Sequence, residues 1–267
     1  MCTMILKETL QYYNSSNSSV FCMFLDATKA FDRVRYCKLF RLLVDKGLPA
    51  CIIRVFICLY TNHMVCVAWN GMRSQYSLAT NGVKQGGVLS PMLYLLYIDG
   101  LLVKLSNAGV GCYFGPIFVG ALAYADDLLL LAPTPSAMRK LLALCDNYAQ
   151  EYSIKFNAKK SKWLAIFSKK RRWLSSPLEH CRCQVGGTHV DRVTSFVHLG
   201  HTINTELTDK YDILHKRCTF IGQVSNVICY FPRLDADVRH KLFKSYCSSI
   251  FGCELWHLND ISATQWR

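Results

Sequence analysis

The apolar residues of this chain follow two kinds of spacing. In Val20-Phe21-Cys22-Met23-Phe24-Leu25 they form a short unbroken run, as they do over residues 118–123 and 128–131. Runs of this length bounded by turn formers predict buried strands. Elsewhere they recur every three or four residues. That spacing predicts helices over residues 4–13, from Tyr36 through Leu39, Phe40, Leu42 and Leu43 to a stop at Gly47-Leu48-Pro49, and from about Ala50 to Tyr60. Ser90 as N-cap and Pro91 at the first helical position predict a helix through Leu105. Thr134-Pro135 caps another, with Met138, Leu141, Leu142, Cys145 and Tyr148 on its apolar face. Residues 65–69 and 75–80, flanking Asn70-Gly71, read as a hairpin about a type I′ turn. Strands near 154–156 and 163–167 complete a sheet with helices packed on it, an α+β arrangement. From about Glu206 the pattern is helical only. Leu207, Tyr211, Leu214, Cys218 and Ile221 share one spacing, and Val238, Leu242 and Tyr246 another.

Two of the strand-like runs end on acids. Asp26 closes the first, and Asp126-Asp127, within Tyr124-Ala125-Asp126-Asp127, lie between the other two at the tip of a tight hairpin. Carboxylates beside so much apolar surface are costly unless something cationic compensates. A divalent metal bound by hard oxygen ligands is the usual solution; ordinary turn chemistry at an exposed tip is the alternative. If the Asp26 strand lies beside the hairpin, the three acids form a cluster of the kind that holds two Mg²⁺ ions for phosphoryl transfer. Between them in sequence lies Asn81-Gly82-Val83-Lys84-Gln85-Gly86-Gly87, whose glycines let backbone approach a ligand closely.

Taken in order, Phe24-Leu25-Asp26-Ala27-Thr28-Lys29-Ala30-Phe31-Asp32, Gly82-Val83-Lys84-Gln85-Gly86-Gly87-Val88-Leu89-Ser90-Pro91 and Tyr124-Ala125-Asp126-Asp127 resemble motifs A, B and C of reverse transcriptases. The leucine before the first Asp, the Ala-Phe-Asp after it and the Gly-Val-x-Gln-Gly opening of motif B are similar to the non-LTR (LINE-type) retrotransposon branch. Lys155-Phe156-Asn157-Ala158-Lys159-Lys160-Ser161 resembles motif D, and Phe196-Val197-His198-Leu199-Gly200-His201-Thr202-Ile203 resembles motif E, the primer grip. The resemblance implies a polymerase palm over residues 1–204 and a small helical thumb over 205–267. It implies an RNA-directed DNA polymerase that extends a DNA primer on an RNA template with dNTPs.

The same resemblance implies roles. Asp26, Asp126 and Asp127 would hold two Mg²⁺ ions, with Mn²⁺ as a substitute. Phe31 stands where the family places a steric gate against a ribose 2′-hydroxyl, although core packing is the plainer role for a Phe. Gln85 and Gly86 would border the nucleotide, and Lys160, with Lys159 as the near alternative, would protonate pyrophosphate. His198, Leu199 and Gly200 would hold the primer, and Tyr124 would support the hairpin near it. Asp32 reads as a cap of the next helix, and Asp99 has no role.

Charge agrees with a polyanionic partner: 31 Lys and Arg against 18 Asp and Glu give +13. Lys155, Lys159, Lys160, Lys162, Lys169, Lys170, Arg171 and Arg172 crowd together with Trp163, Phe167 and Trp173 among them. Contact with template or primer phosphates is expected there, a solvated loop being the alternative. The 14 cysteines, among them Cys51, Cys58, Cys66 and Cys145, read as buried free thiols of a reducing compartment. Cys181 and Cys183, with His180 and His189, lack the spacing of a zinc site. Residues 110–125 are apolar but broken by glycines and a proline, so a soluble, intracellular protein (nuclear or cytoplasmic) is expected rather than a membrane span. About two dozen residues precede motif A, where the family places a fingers subdomain that clasps the triphosphate. The expectation is a truncated copy, with a catalytically inactive nucleic-acid-binding remnant as the alternative. An RNA-dependent RNA polymerase would more usually carry Gly-Asp-Asp.

Overall fold

The computed structural model describes residues 1–167, 183–248, 250 and 252–257. Helix α1 (Cys2–Ser15) leads into strand β1 (Val20–Asp26), and a 3-10 turn (Phe31–Arg33) leads into α2 (Tyr36–Asp45) and α3 (Ala50–Thr61). Short hairpin strands follow: β2 (Met64–Val65) pairs with β5 (Ser77–Leu78), and β3 (Ala68–Trp69) with β4 (Met72–Arg73). Asn70 and Gly71 both take positive φ, 48° and 79°, as a type I′ turn requires. Next come α4 (Ser90–Ser106), the small hairpin β6 (Tyr113–Phe114) and β7 (Ile117–Phe118), β8 (Ala121–Tyr124), β9 (Asp127–Ala132) and α5 (Pro135–Tyr152). Strands β10 (Lys162–Ile166), β11 (Gln184–Val185), β12 (Thr188–His189), β13 (Asp191–Arg192), β14 (Ser195–His198) and β15 (His201–Asn204) complete the β structure. Beyond them the described residues are helical, chiefly Lys210–Tyr230 and Ala236–Leu242.

The central sheet has the order β13-β10-β1-β9-β8. Its middle strand, β1, is antiparallel to both neighbours. Phe21, Met23 and Leu25 face a core shared with α2, α4 and α5, while Val20, Cys22 and Phe24 face a second core built on Leu6 and Leu10 of α1. A strand covered on both faces has no solvent side to make polar, which is why its sequence shows no alternation. Helix α5 follows its local signals closely. The Thr134 hydroxyl accepts from the Ala137 N–H at 3.2 Å, and the five apolar positions expected to face inward are all buried. The Tyr97 hydroxyl donates to the Tyr152 carbonyl at 2.7 Å and the Tyr148 hydroxyl to the Tyr97 carbonyl at 2.8 Å, which stitches α4 to α5.

Several local readings give way to tertiary contacts. Leu89, not Ser90, is the N-cap of α4, because the Ser90 hydroxyl donates back to the Lys84 carbonyl and closes the glycine loop. Asp32 does not cap α2, whose N-cap is Arg35; it lies in the 3-10 turn. Residues 154–156 form a single bridge, Ala27 to Phe156, rather than a strand. Residues 110–125 fold into β6, β7 and β8, and among the described residues no helix is long and apolar enough to cross a membrane. Asp99 pairs with Lys46 at 2.6 Å, an exposed ion pair of small energetic weight. Of the four cysteines expected inside, Cys145 is buried, Cys66 is half-buried, and Cys51 and Cys58 are exposed on α3.

A helix, Lys210–Tyr230, forms where the helical spacing predicts one, but its apolar stripe is not the side that packs inward. Tyr211, Leu214, Cys218 and Ile221 face solvent, and its buried residues are Asp212, Ile213 and Val227. A charged cluster turns the helix this way. Lys7 of α1 bonds both Asp209 oxygens at 2.7 and 2.8 Å and also reaches the Leu255 carbonyl. His201 of β15 sits between Asp209 and Asp212, its nitrogens 3.3 and 3.1 Å from their oxygens. These contacts are off-line for hydrogen bonds, so their attraction is mainly that of charge. Lys216 adds a 2.8 Å contact to Asp212.

Burial alone would raise both carboxyls. For Asp209, His201, Lys7 and the His257 N–H outweigh burial and hold it at about 2; Asp212 is held lower still. Burial disfavours the charged imidazole of His201, but the two aspartates overcome it and raise its pKa above 6.5. The raised histidine contributes stability that is full below about 6.5 and is lost as pH climbs through its folded value. The depressed aspartates contribute stability that is full above about 3.8 and is lost as pH falls towards 2. The cluster's contribution is therefore largest between about pH 4 and 6.5. Buried His198 resists protonation down to about 4 and so lowers stability as pH falls below about 6.5, and melting is expected to peak towards the upper end of that window. A melting series across pH checks this, and His201→Gln should flatten the alkaline limb and also weaken the acid limb, since His201 is the first group that holds both aspartates low.

Candidate active site

The register of β1 against β9 sets the geometry. Asp26 ends β1 and Asp127 begins β9, and the two are direct cross-strand partners. Opposed residues in an antiparallel pair project to the same face, so these acids stand side by side. Asp126 occupies the turn between β8 and β9, where Ala125 takes a φ of 51°. A non-glycine residue in this left-handed region costs on the order of 1 kcal/mol, a strain that a functional tip tolerates. Burial, then the charge of Asp126, then that of Asp26 raise the pKa of Asp127. Three like charges thus gather at one end of the sheet. They do not close into a cage: among the described residues, no three His, Cys, Asp or Glu side chains are grouped tightly enough to enclose an ion. Their chemistry nevertheless fits Mg²⁺, since hard carboxylate oxygens in mutual repulsion are what a divalent cation relieves.

The segment after α5 is tied to β1. The Asp26 N–H donates to the Ser161 hydroxyl at 3.1 Å, and the Asn157 N–H donates to the Asp26 carbonyl at 2.8 Å. The Asn157 side chain in turn accepts from the N–H groups of Lys159 and Lys160. Lys160 thereby lines a crevice of about 90 Å³ with Asp26, Asp127, His198 and Leu199. The β14–β15 hairpin supplies the opposite wall. Its turn residues Leu199 and Gly200 both take positive φ, 48° and 74°. His198 is buried beside the Phe24 ring; desolvation lowers its pKa to about 4, so it is neutral, and among the described residues its Nε2 has no hydrogen-bond partner. Tyr124 is exposed and, with Leu199, lines a further hollow of about 500 Å³.

On the motif B side, the Gly82 and Val83 N–H groups donate to the Val34 and Phe31 carbonyls, both at 2.8 Å. A Cβ on Gly82 would stand 2.9 Å from the Asp32 Cα, so only glycine permits this approach. The exposed Gln85 amide donates to Asp32 at 3.1 Å, and Gly86 is exposed beside it at a φ of 76°. Phe31 is half-buried, with Tyr94 of α4 behind its ring.

The basic segment is only partly in view. Lys155, Lys159 and Lys160 are exposed, and Lys162 is paired with Asp191 at 2.7 Å. Trp163 is not available to stack on bases, because it lies in the core with its indole N–H donating to the Val190 carbonyl. Lys169, Lys170, Arg171, Arg172, Trp173, His180 and Cys181 lie outside the described residues. Tyr94 and the Asp209–Asp212 cluster were not singled out from sequence. Tyr94 lies one helical turn after Ser90, a polar-tipped aromatic on an apolar face, and that was its only signal.

With this geometry in place, comparison with known proteins is decisive. Residues 3–203 match the family described as reverse transcriptase (RNA-dependent DNA polymerase). The chain belongs to the reverse transcriptase family. It is 30% identical over 156 residues to the Pol polyprotein of the type-2 retrotransposable element R2DM of Drosophila melanogaster, covering 58% of this chain and 15% of that protein. It is 23% identical over 260 residues to the RNA-directed DNA polymerase from mobile element jockey of Drosophila funebris, covering 91% and 27%. These similarities place it with the non-LTR retrotransposon reverse transcriptases. In fold it is similar to apo telomerase from Candida tropicalis, with a TM-score of 0.54 at 14% identity over 85% of this chain and 39% of that one. The fold is thus the α+β polymerase palm with a helical thumb. The chain spans between 15% and 27% of the length of these curated relatives.

Proposed function

We propose that this reverse transcriptase chain carries the polymerising centre of a non-LTR retrotransposon protein, extending a DNA primer on an RNA template with dNTPs. The observation that carries the reading is the placement of Asp26 opposite Asp127, with Asp126 in the adjoining turn. Asp26 and Asp126 would be the main ligands of two Mg²⁺ ions, or Mn²⁺, with Asp127 ligating or supporting. Such ions, when bound, activate the primer hydroxyl and neutralise charge on the triphosphate. Phe31, held from behind, excludes a ribose 2′-hydroxyl, and Gln85 and Gly86 border the nucleotide. Lys160 holds the proton destined for pyrophosphate at its Nζ. His198, Leu199 and Gly200 position the primer end from the far wall of the crevice. The palm comprises residues 1–204 and the thumb 205–267. Cys183 aside, the described cysteines are free thiols, which suits work inside the cell, in nucleus or cytoplasm.

A second reading is a nucleic-acid-binding remnant without catalysis, favoured by the open arrangement of the acids. Primer extension separates the two. Residues 1–267 alone, and a fusion supplying the upstream segment of a curated relative, are given primer, RNA template, dNTPs and Mg²⁺. Extension by either, abolished by chelation, is the expected result. Primer–template binding with no extension by either protein would establish the remnant.

A further inference from the structure

The motif B loop is pinned on both sides of Gln85. Before it, the Gly82 and Val83 N–H groups are bonded to the Val34 and Phe31 carbonyls. A Cβ on Gly82 would also stand 3.0 Å from the Asp32 carbonyl oxygen, so loop and 3-10 turn lie backbone against backbone. After it, the Gly87 N–H and the Ser90 hydroxyl both donate to the Lys84 carbonyl and close the loop on itself. With the backbone fixed, the direction of the exposed Gln85 side chain is set by one contact: its Nε2 donates to the Asp32 carboxylate at 3.1 Å. Which end of the amide meets Asp32 follows from chemistry. A carboxylate offers only acceptors, whereas an amide carries donors at one end and an acceptor at the other. The nitrogen must therefore turn towards Asp32, and Oε1 is left at the outer end.

We propose that Asp32 is a positioning residue for the nucleotide: it turns the donor end of the Gln85 amide aside, so that the acceptor Oε1 faces the incoming dNTP. This rests on the reading of Gln85 as bordering that nucleotide. An acceptor repels phosphate oxygens and takes protons from hydroxyl or amino groups. The oriented amide thus addresses the nucleoside and leaves the triphosphate to the cations. Phe31 and Asp32 are neighbours in one 3-10 turn, so the same piece of backbone sets both the sugar gate and the amide.

Asp32→Ala removes the acceptor, and Asp32→Glu restores one on a longer arm. The assay is single-nucleotide primer extension by residues 1–267 or by the fusion described above. Asp32→Ala is expected to raise KM for the dNTP roughly fivefold and to leave kcat within about twofold, because the lost orientation acts on binding. Asp32→Glu should recover most of that loss. In a Gln85→Met background, whose own KM is raised, Asp32→Ala should cost nothing further, because Asp32 acts through the amide. Both residues are exposed, so melting temperatures should stay within about 2 °C of the parent protein. If Gln85→Met raises KM and Asp32→Ala does not, or if the two losses add, Asp32 does not set the amide and the proposal is overturned. If Gln85→Met leaves KM unchanged, Gln85 does not border the nucleotide, and that reading falls together with the proposal. If neither protein extends a primer, the polymerase reading fails and takes this proposal with it.

Discussion

Asp126→Asn is expected to slow templated extension by a factor of roughly 10³ while leaving primer–template affinity within about twofold. The substitution preserves shape and removes one charge of three at the end of the sheet. Phosphoryl transfer gains nearly all of its catalysis from positioning and charge stabilisation, so a lost ligand acts on the rate. Binding draws instead on the whole field of a chain with net charge +13, and losing an acid raises that to +14. The two effects therefore separate in single-turnover extension and equilibrium binding on the same protein. Asp127 should respond as well: with one like charge gone, its raised pKa should relax downwards. Folding stability should hold or rise, because the acids repel one another when no cation is bound. Extension within tenfold of the parent protein would remove Asp126 from the metal-binding set.

Asp212→Ala should destabilise the fold by about 3–5 kcal/mol, because it leaves buried cations and donors without their acceptor. The carboxylate is 2% exposed and serves four groups: Lys216 at 2.8 Å, the Trp256 indole N–H at 2.7 Å, the Thr202 N–H at 2.9 Å and His201 at 3.1 Å. They belong to β15, to helix Lys210–Tyr230 and to the segment at Trp256. The loss should therefore loosen the thumb from the hairpin that carries His198, Leu199 and Gly200. At about 2–4 °C per kcal/mol for a chain of this size, melting should fall by roughly 10 °C. Asp212→Asn keeps the shape and some hydrogen bonds, so it should cost less. Equal, small losses in both variants would show that the cluster is not a structural node.

Much of the palm could be read from local pattern. Strand β1 was visible because burial on both faces leaves an unbroken apolar run, and its end was marked by a charge that cannot sit inside it. Asn70-Gly71 announced a hairpin through backbone conformations that few other residue pairs adopt. Thr134 announced α5 because a side-chain oxygen there satisfies a helical N–H that has no other partner. These signals lie within a few residues of what they control, and the ordered motifs around them sufficed for the family. Register lay beyond them. That Asp26 stands opposite Asp127, rather than one pleat away, follows from pairing β1 with β9 across a hundred residues. Ser90 was diverted from capping by Lys84, Asp32 by Gln85, and Trp163 from the surface by Val190. The thumb helix shows the limit most clearly. Its helical spacing was legible but not which side faces inward, because Lys7, 202 residues from Asp209, draws the acidic face there. Periodicity reports what a helix prefers alone; whether a charge can be buried depends on a partner that only the folded chain delivers.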